Sequence, residues 1–348
     1  MENKYLSKYL ESEENKKILE LPISLHDTNS MFKVITDRLN KYNKLISDDI
    51  EIEKGMKDRI AGLTDGLKKV FEFLPDKPDL AYIELINTFN KTYNENNNNK
   101  ENDNNNNDSI FNEEYIKKYF VYHVKKGTKL YRLRDGEHID KLQMFHCPER
   151  LTNGNLCNSE RFNLEGFPMF YCGVSQHCCE LEINHDEDNF TVAEIIAKDE
   201  FELVDLSCVN LNEYKIDKEY NENYEKAGHE LLYLWPILAM CYIVDSSDKT
   251  SANSTNQNPT YLFSQLFAKY IQEYCPSFEG IRYFTVRNPE LNSSETTYTD
   301  LVFFTNKEAY NNQGYDMQLY KKFDYKIILH KQINLELNLN LSLKLNFS

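Results

Sequence analysis

Arginine is scarce in this chain of 348 residues: only Arg38, Arg59, Arg132, Arg134, Arg150, Arg161, Arg282 and Arg287 occur, and the other basic residues are Lys. Where Lys is the default cation, a retained Arg marks a need for its planar fork, which grips phosphate or carboxylate with two hydrogen bonds. Six of the eight lie between positions 132 and 287. Positive charge as a whole is also short. Lys+Arg number 40 against 56 Asp+Glu, a net charge of −16, which excludes a general binder of nucleic acid or anionic membrane because phosphate backbones repel such a surface. Any phosphate site must be local. The chain lacks an apolar run long enough to span a bilayer, and its start, Met1-Glu2-Asn3-Lys4, lacks the apolar core of a signal peptide. A cytoplasmic or nuclear location is expected, with no membrane partner. No C-x-x-C pair occurs among Cys147, Cys157, Cys172, Cys178, Cys179, Cys208, Cys241 and Cys275. Adjacent Cys178-Cys179 are poorly spaced as ligands of one tetrahedral metal, even with His146, His177 and His185 nearby. Reduced, buried thiols are expected, with no metal and no disulfide.

An apolar content of 41%, with 13% aromatics, can fill a sizeable core. Between Asp48 and Leu74 the residues Ile52, Met56, Ile60, Leu63, Leu67, Val70 and Phe71 recur at spacings of three and four, which predicts an amphipathic helix. A second helix is expected from Pro78-Asp79, with Leu80, Ile83, Ile86 and Phe89 on its inner face. Residues 1–93 thus read as a helical N-terminal region. Asn94 to Asn107 offers almost no apolar side chain to offset ordering entropy, so 94–110 reads as a disordered linker.

Beyond the linker the pattern shortens to strand-like runs: 119–124, 128–133, 170–173, 190–196, 201–206, 280–286 and 300–305. Two helices interrupt them, Glu230 to Tyr242, apolar nearly all round, and Thr260 to Tyr274. The absence of a βαβ rhythm predicts an α+β domain with antiparallel strands over 111–330. Residues 331–348 form a tail whose Leu residues alternate with polar ones, either an added edge strand or a frayed end.

Two features could carry chemistry. Arg132 follows Leu130-Tyr131 near a strand end, and Arg161 opens a segment that turns at Gly166 and Pro168 before Phe170-Tyr171; together two such arginines could bind a diphosphate. Downstream stand Glu180 and Glu182. In a helix their side chains emerge about 200° apart, so only one can face a pocket. A carboxylate beside a phosphate-binding pocket suits stabilisation of an oxocarbenium-like centre.

The string Arg161-Phe162-Asn163-x-x-Gly166-x-Pro168-x-x-Tyr171, followed by Cys179 and Glu182, resembles the core of the RES family, named for its Arg, Glu and Ser. Leu130-Tyr131-Arg132, Met144-Phe145-His146-Cys147-Pro148, Leu234-Trp235-Pro236, Tyr261-Leu262-x-x-Gln265 and Gly280-Ile281-Arg282-Tyr283-Phe284-Thr285 extend the resemblance in order. It implies a fold similar to ADP-ribosyltransferases, with an antiparallel β core and flanking helices. It also implies a glycohydrolase or phosphorolase acting on NAD as substrate, with no cofactor, as in toxin–antitoxin pairs. Carried onto this chain, Arg132 and Arg161 hold the pyrophosphate, Tyr171 packs against the nicotinamide riboside, Glu182 is the catalytic acid residue, and Tyr131 and Gln265 contact substrate. Thr285 stands where the family has its serine, keeping the hydroxyl and adding a methyl group. A protein regulator or inhibitor is the partner such an activity implies, and residues 1–93 are a candidate restraint in cis. Two alternatives stay open at this point: ADP-ribosyl transfer to a macromolecule, which breaks the same bond, and a module that binds a nucleotide or a partner without catalysis.

Overall fold

The structure, a computed structural model, describes Tyr9 and residues 12–25, 30–74, 76–90, 111–151, 153–182, 190–207, 224–245, 258–285 and 299–329, the side chains of 181, 182, 224–229, 245 and 329 excepted. In chain order its elements are α1 (Glu13–Leu19), β1 (Ile23–Leu25), α2 (Met31–Asp48), α3 (Lys54–Phe73), α4 (Pro78–Phe89), α5 (Glu113–Tyr119), β2 (Val121–Val124), β3 (Lys129–Asp135), β4 (Phe170–Gly173), α6 (Gln176–Glu182), β5 (Phe190–Ala197), β6 (Phe201–Asp205), α7 (Tyr224–Cys241), β7 (Ile243–Asp245), α8 (Leu262–Tyr274), β8 (Gly280–Phe284), β9 (Thr299–Phe303), α9 (Met317–Lys321) and β10 (Phe323–Leu329). Helix and sheet are mixed, as an α+β chain requires. The expected linker and tail lie outside the described residues.

By packing, the chain falls into two units that interleave along the sequence. A helical unit gathers Met1–Val121, Glu160–Phe162 and Leu206–Ser277; a sheet unit gathers Tyr122–Ser159, Asn163–Asp205 and Phe278–Ser348.

In the helical unit, α2 buries Ile35, Leu39, Tyr42 and Ile46, spaced by three and four, and α3 buries Ile60, Leu63, Leu67, Val70 and Phe71. The first of these helices was not anticipated from the sequence. Helix α4 starts on Pro78, whose missing N–H costs nothing in a first turn. Its expected inner face is corrected: Leu80 is 44% and Ile83 53% exposed, while Ala81, Leu85, Thr88 and Phe89 are buried. The cause lies on α3. A Cβ added at Gly66 would fall 2.3 Å from Thr88 Oγ1, so only glycine there lets the small-residue face of α4 dock. Helix α7 is buried on all sides from Glu230 to Cys241, as its composition predicts. Its Trp235 donates to the Leu19 carbonyl at 3.2 Å and stacks on Tyr42 with ring centroids 4.2 Å apart. Strand β1 pairs parallel with β7. The N-terminal helices and α7 therefore share one core.

The sheet unit holds eight strands in the order β10-β5-β3-β4-β9-β8-β6-β2. All seven expected strands appear within two residues of their predicted ends, whereas β10 was not foreseen. All neighbours from β10 to β8 are antiparallel, but β6 and β8 run parallel, which corrects the purely antiparallel expectation. The reason is topological. Parallel neighbours need a long crossover, and the chain between β6 and β8 is the Leu206–Ser277 segment of the helical unit. One face of the sheet carries the main core, including Leu130, Phe170, Cys172, Ile195, Leu301 and Phe303. A smaller cluster of Leu133, Cys179 and Val192 on the other side seats α6.

Candidate active site

Strands β3 and β4 share a single registered pair, Tyr131 with Gly173. Past it the ladder stops, and the side chain of Arg132 reaches across to donate from Nη1 to the Tyr171 carbonyl at 2.5 Å. Its guanidinium also lies over the Phe170 ring, 5.6 Å from the centroid. The Arg132 Nε is buried without a hydrogen-bond partner. Two residues on, and so on the same face of β3, Arg134 donates to Cys147 Sγ at 3.2 Å. Burial, and then the Arg132 charge, push the Arg134 pKa down. Neither arginine meets a carboxylate among the described residues. Two cations side by side without a counter-ion make a site that an anion would complete. Arg134 was not singled out from the sequence, although its spacing of two from Arg132 on a strand was the available signal.

The turn between Arg161 and Tyr171 is built to be rigid. Tyr171 donates its hydroxyl to Asn163 Oδ1 at 2.9 Å, and the Asn163 amide donates to the carbonyls of Asn158 and Leu164 at 3.0 and 3.2 Å. Gly166 has φ +78°, which a side chain would oppose, and its N–H donates to the Cys157 carbonyl at 3.0 Å. Asn163 and Tyr171 thus hold each other in place, and Gly166 is tied to Cys157.

After β4, helix α6 carries the cysteines inward. Cys178 Sγ donates to Asp300 Oδ1 at 3.1 Å and Cys179 Sγ to the Tyr131 carbonyl at 3.1 Å. Glu180 is taken up locally by Gln176 at 2.8 Å and His177 at 3.5 Å. Glu182 is the last residue of α6, and its side chain lies outside the described residues. Thr285 follows β8 directly and is buried. His146 is buried with both ring nitrogens spent: Nδ1 donates to the Cys147 carbonyl and Nε2 accepts from the Asp316 N–H. Burial lowers its pKa to about 4, so it stays neutral. The seven described cysteines are free thiols.

Two expected site residues belong to the helical unit. Arg161 is 7% exposed, donates to the Cys241 carbonyl at 2.8 Å and lies 4.8 Å over the Tyr261 ring. Gln265 donates to the Glu160 carbonyl at 2.8 Å, which makes it a positioning residue for the segment that carries Arg161. In the sheet unit, a depression of about 300 Å³ lined by His123, Lys125, Glu200, Glu202 and Glu279 lies along the β2–β6 edge, away from β3 and β4.

No helix among the described residues is long and apolar enough to cross a membrane. The RES domain matches residues 129–314, a little over half the chain, from the start of β3 through Gly314. The helices up to α5 lie outside that match. Among curated proteins and among solved structures, none matches.

Proposed function

We propose that this chain, which belongs to the RES domain family, cleaves the bond between nicotinamide and ribose in NAD. The observation that supports this most is the pair Arg132 and Arg134, adjacent cations on β3 with no carboxylate partner among the described residues. An arginine placed for structure alone is expected to bring its own counter-ion, because a desolvated charge left unpaired is costly. A diphosphate supplies one. Arg161, buried on Tyr261 and equally without a described carboxylate, is by the same argument an anion-binding candidate of the helical unit.

In this reading Tyr171, fixed by Asn163, packs against the nicotinamide riboside, whereas Tyr131 emerges from β3 on the face opposite the two arginines. As the C1′–N bond lengthens, positive charge grows on the ribose, and the Glu182 carboxylate stabilises it. Nicotinamide leaves with the bonding pair. Water, or phosphate in a phosphorolysis, then adds at C1′ and loses a proton, giving ADP-ribose or its 1-phosphate. Thr285 retains a hydroxyl for a ribose or nicotinamide contact. The relationship to ADP-ribosyltransferase folds belongs to the same proposal.

Incubation of the full chain with NAD tests it. Release of free nicotinamide with stoichiometric ADP-ribose is expected from wild type and not from Glu182→Gln; equal background release from both sinks the reading. Label appearing on a macromolecule instead would redirect it to transfer.

A further inference from the structure

Phe167 is 59% exposed although it sits inside a turn held by several hydrogen bonds. Its own N–H donates to the Leu164 carbonyl at 3.0 Å, and the next carbonyl, that of Pro168, accepts from Thr305 Oγ1 at 2.6 Å. The preceding residue is Gly166, in the left-handed region. Asn163 then ties the turn to the Tyr171 hydroxyl. A large ring held out to solvent on a fixed backbone has lost the freedom that would otherwise oppose binding. Lys307 lies beside it, its ammonium 5.9 Å from the ring centroid and 2.7 Å from Glu149. Phe167 lies four positions before Tyr171, a span of at most about 13 Å at ~3.3 Å per residue. An extended dinucleotide covers a comparable distance between its two bases.

We infer that Phe167, with Lys307 at its edge, is the platform on which the adenine of the dinucleotide stacks. The inference rests on the NAD reading above and names where the second base goes. An aromatic face accepts a purine without hydrogen bonds, and the Lys307–Glu149 ion pair holds the ammonium at the ring edge.

Phe167→Ala tests it without disturbing the core. The KM for NAD is expected to rise roughly tenfold with kcat unchanged, in line with the usual effect of removing one stacking partner. Nicotinamide mononucleotide, which lacks the adenosine, is expected to be cleaved with the same KM by both proteins, and Phe167→Trp to retain wild-type values. Calorimetric titration with ADP-ribose gives a readout independent of catalysis, with binding weakened by the same factor in Phe167→Ala. Equal affinity in the two proteins, or no ADP-ribose binding by wild type, overturns the inference. A wild type that binds ADP-ribose through Phe167 yet releases no nicotinamide overturns only the cleavage reading.

Discussion

In the helical unit Arg59 stands 3.8 Å from Glu230, lies 4.7 Å over the Tyr233 ring, and shares that buried carboxylate with the hydroxyl of Tyr115. In the sheet unit Arg132 also lies over an aromatic ring, yet among the described residues its hydrogen-bond partner is a backbone carbonyl and its neighbour is a second arginine. Both guanidiniums are partly withdrawn from water over an aromatic surface. They differ in charge balance. The first is complete within the folded chain, whereas the second has no carboxylate among the described residues, which is what the proposed anion site rests on. Stacking alone therefore does not separate a structural arginine from a binding one; under the proposed function, the presence or absence of a carboxylate partner does.

The largest effect that sharpens this contrast is on turnover. Glu182→Gln is expected to lower nicotinamide release by about two to three orders of magnitude, with an unchanged urea midpoint. A midpoint shift that accounts for the lost activity would place Glu182 on the structural side. Next comes Glu230→Ala, which strands Arg59 and Tyr115 together. It is expected to cost about 3 kcal/mol of unfolding free energy by urea denaturation, toward the low end for a broken buried pair because Arg59 retains some exposure. Turnover per folded molecule should not move; if it does, Glu230 belongs to the chemistry and the contrast fails.

A comparable effect is expected from pH. His146 has its folded pKa lowered to about 4 by burial, while an unfolded histidine titrates near ~6.5. The unfolded state then binds more protons between those values, so the stability is fully present above ~6.5 and falls as pH drops toward 4, by about 3 kcal/mol. A His146 imidazole resonance that titrates above pH 6 contradicts this. The smallest effect is that of Arg132→Met. It is expected to raise the KM for NAD about tenfold, equivalent to ~1.4 kcal/mol, and to change stability by less than about 1 kcal/mol, since the lost donation to the Tyr171 carbonyl is offset by relief of the repulsion with Arg134. A large destabilisation would make Arg132 a second Arg59.

Much of the fold was legible because period and composition act locally. Strand β4 begins and ends where Phe170 and Gly173 predict, and α7 is buried all round as its apolar sequence requires. The regular Ile35, Leu39, Tyr42, Ile46 spacing of α2 was equally present and was passed over. The inner face of α4 was not readable from α4, because Gly66 on another helix decides it. The site divides in the same way. Arg132, Arg161 and Tyr171 stood out by residue type and motif. The reach of Arg132 to the Tyr171 carbonyl depends on where the β3–β4 ladder stops, and the tie between His146 Nε2 and the Asp316 N–H depends on a segment far along the chain. Such facts are set by register between distant segments, which no local pattern encodes. The sharing of a core between α7 and the N-terminal helices adds a warning: deleting those helices tests folding before it tests restraint of activity.

The interleaving of the two units also orders events during synthesis. Helices α2 to α4 are complete by residue 89, but the helix that fills their core begins only at residue 224. At about 5–20 residues per second, they leave the ribosome roughly ten seconds before that partner exists. Throughout that interval Tyr42 has no Trp235 to cover it. The nascent chain thus carries an uncovered apolar surface while residues 90–241, a little under half of the chain, are being added.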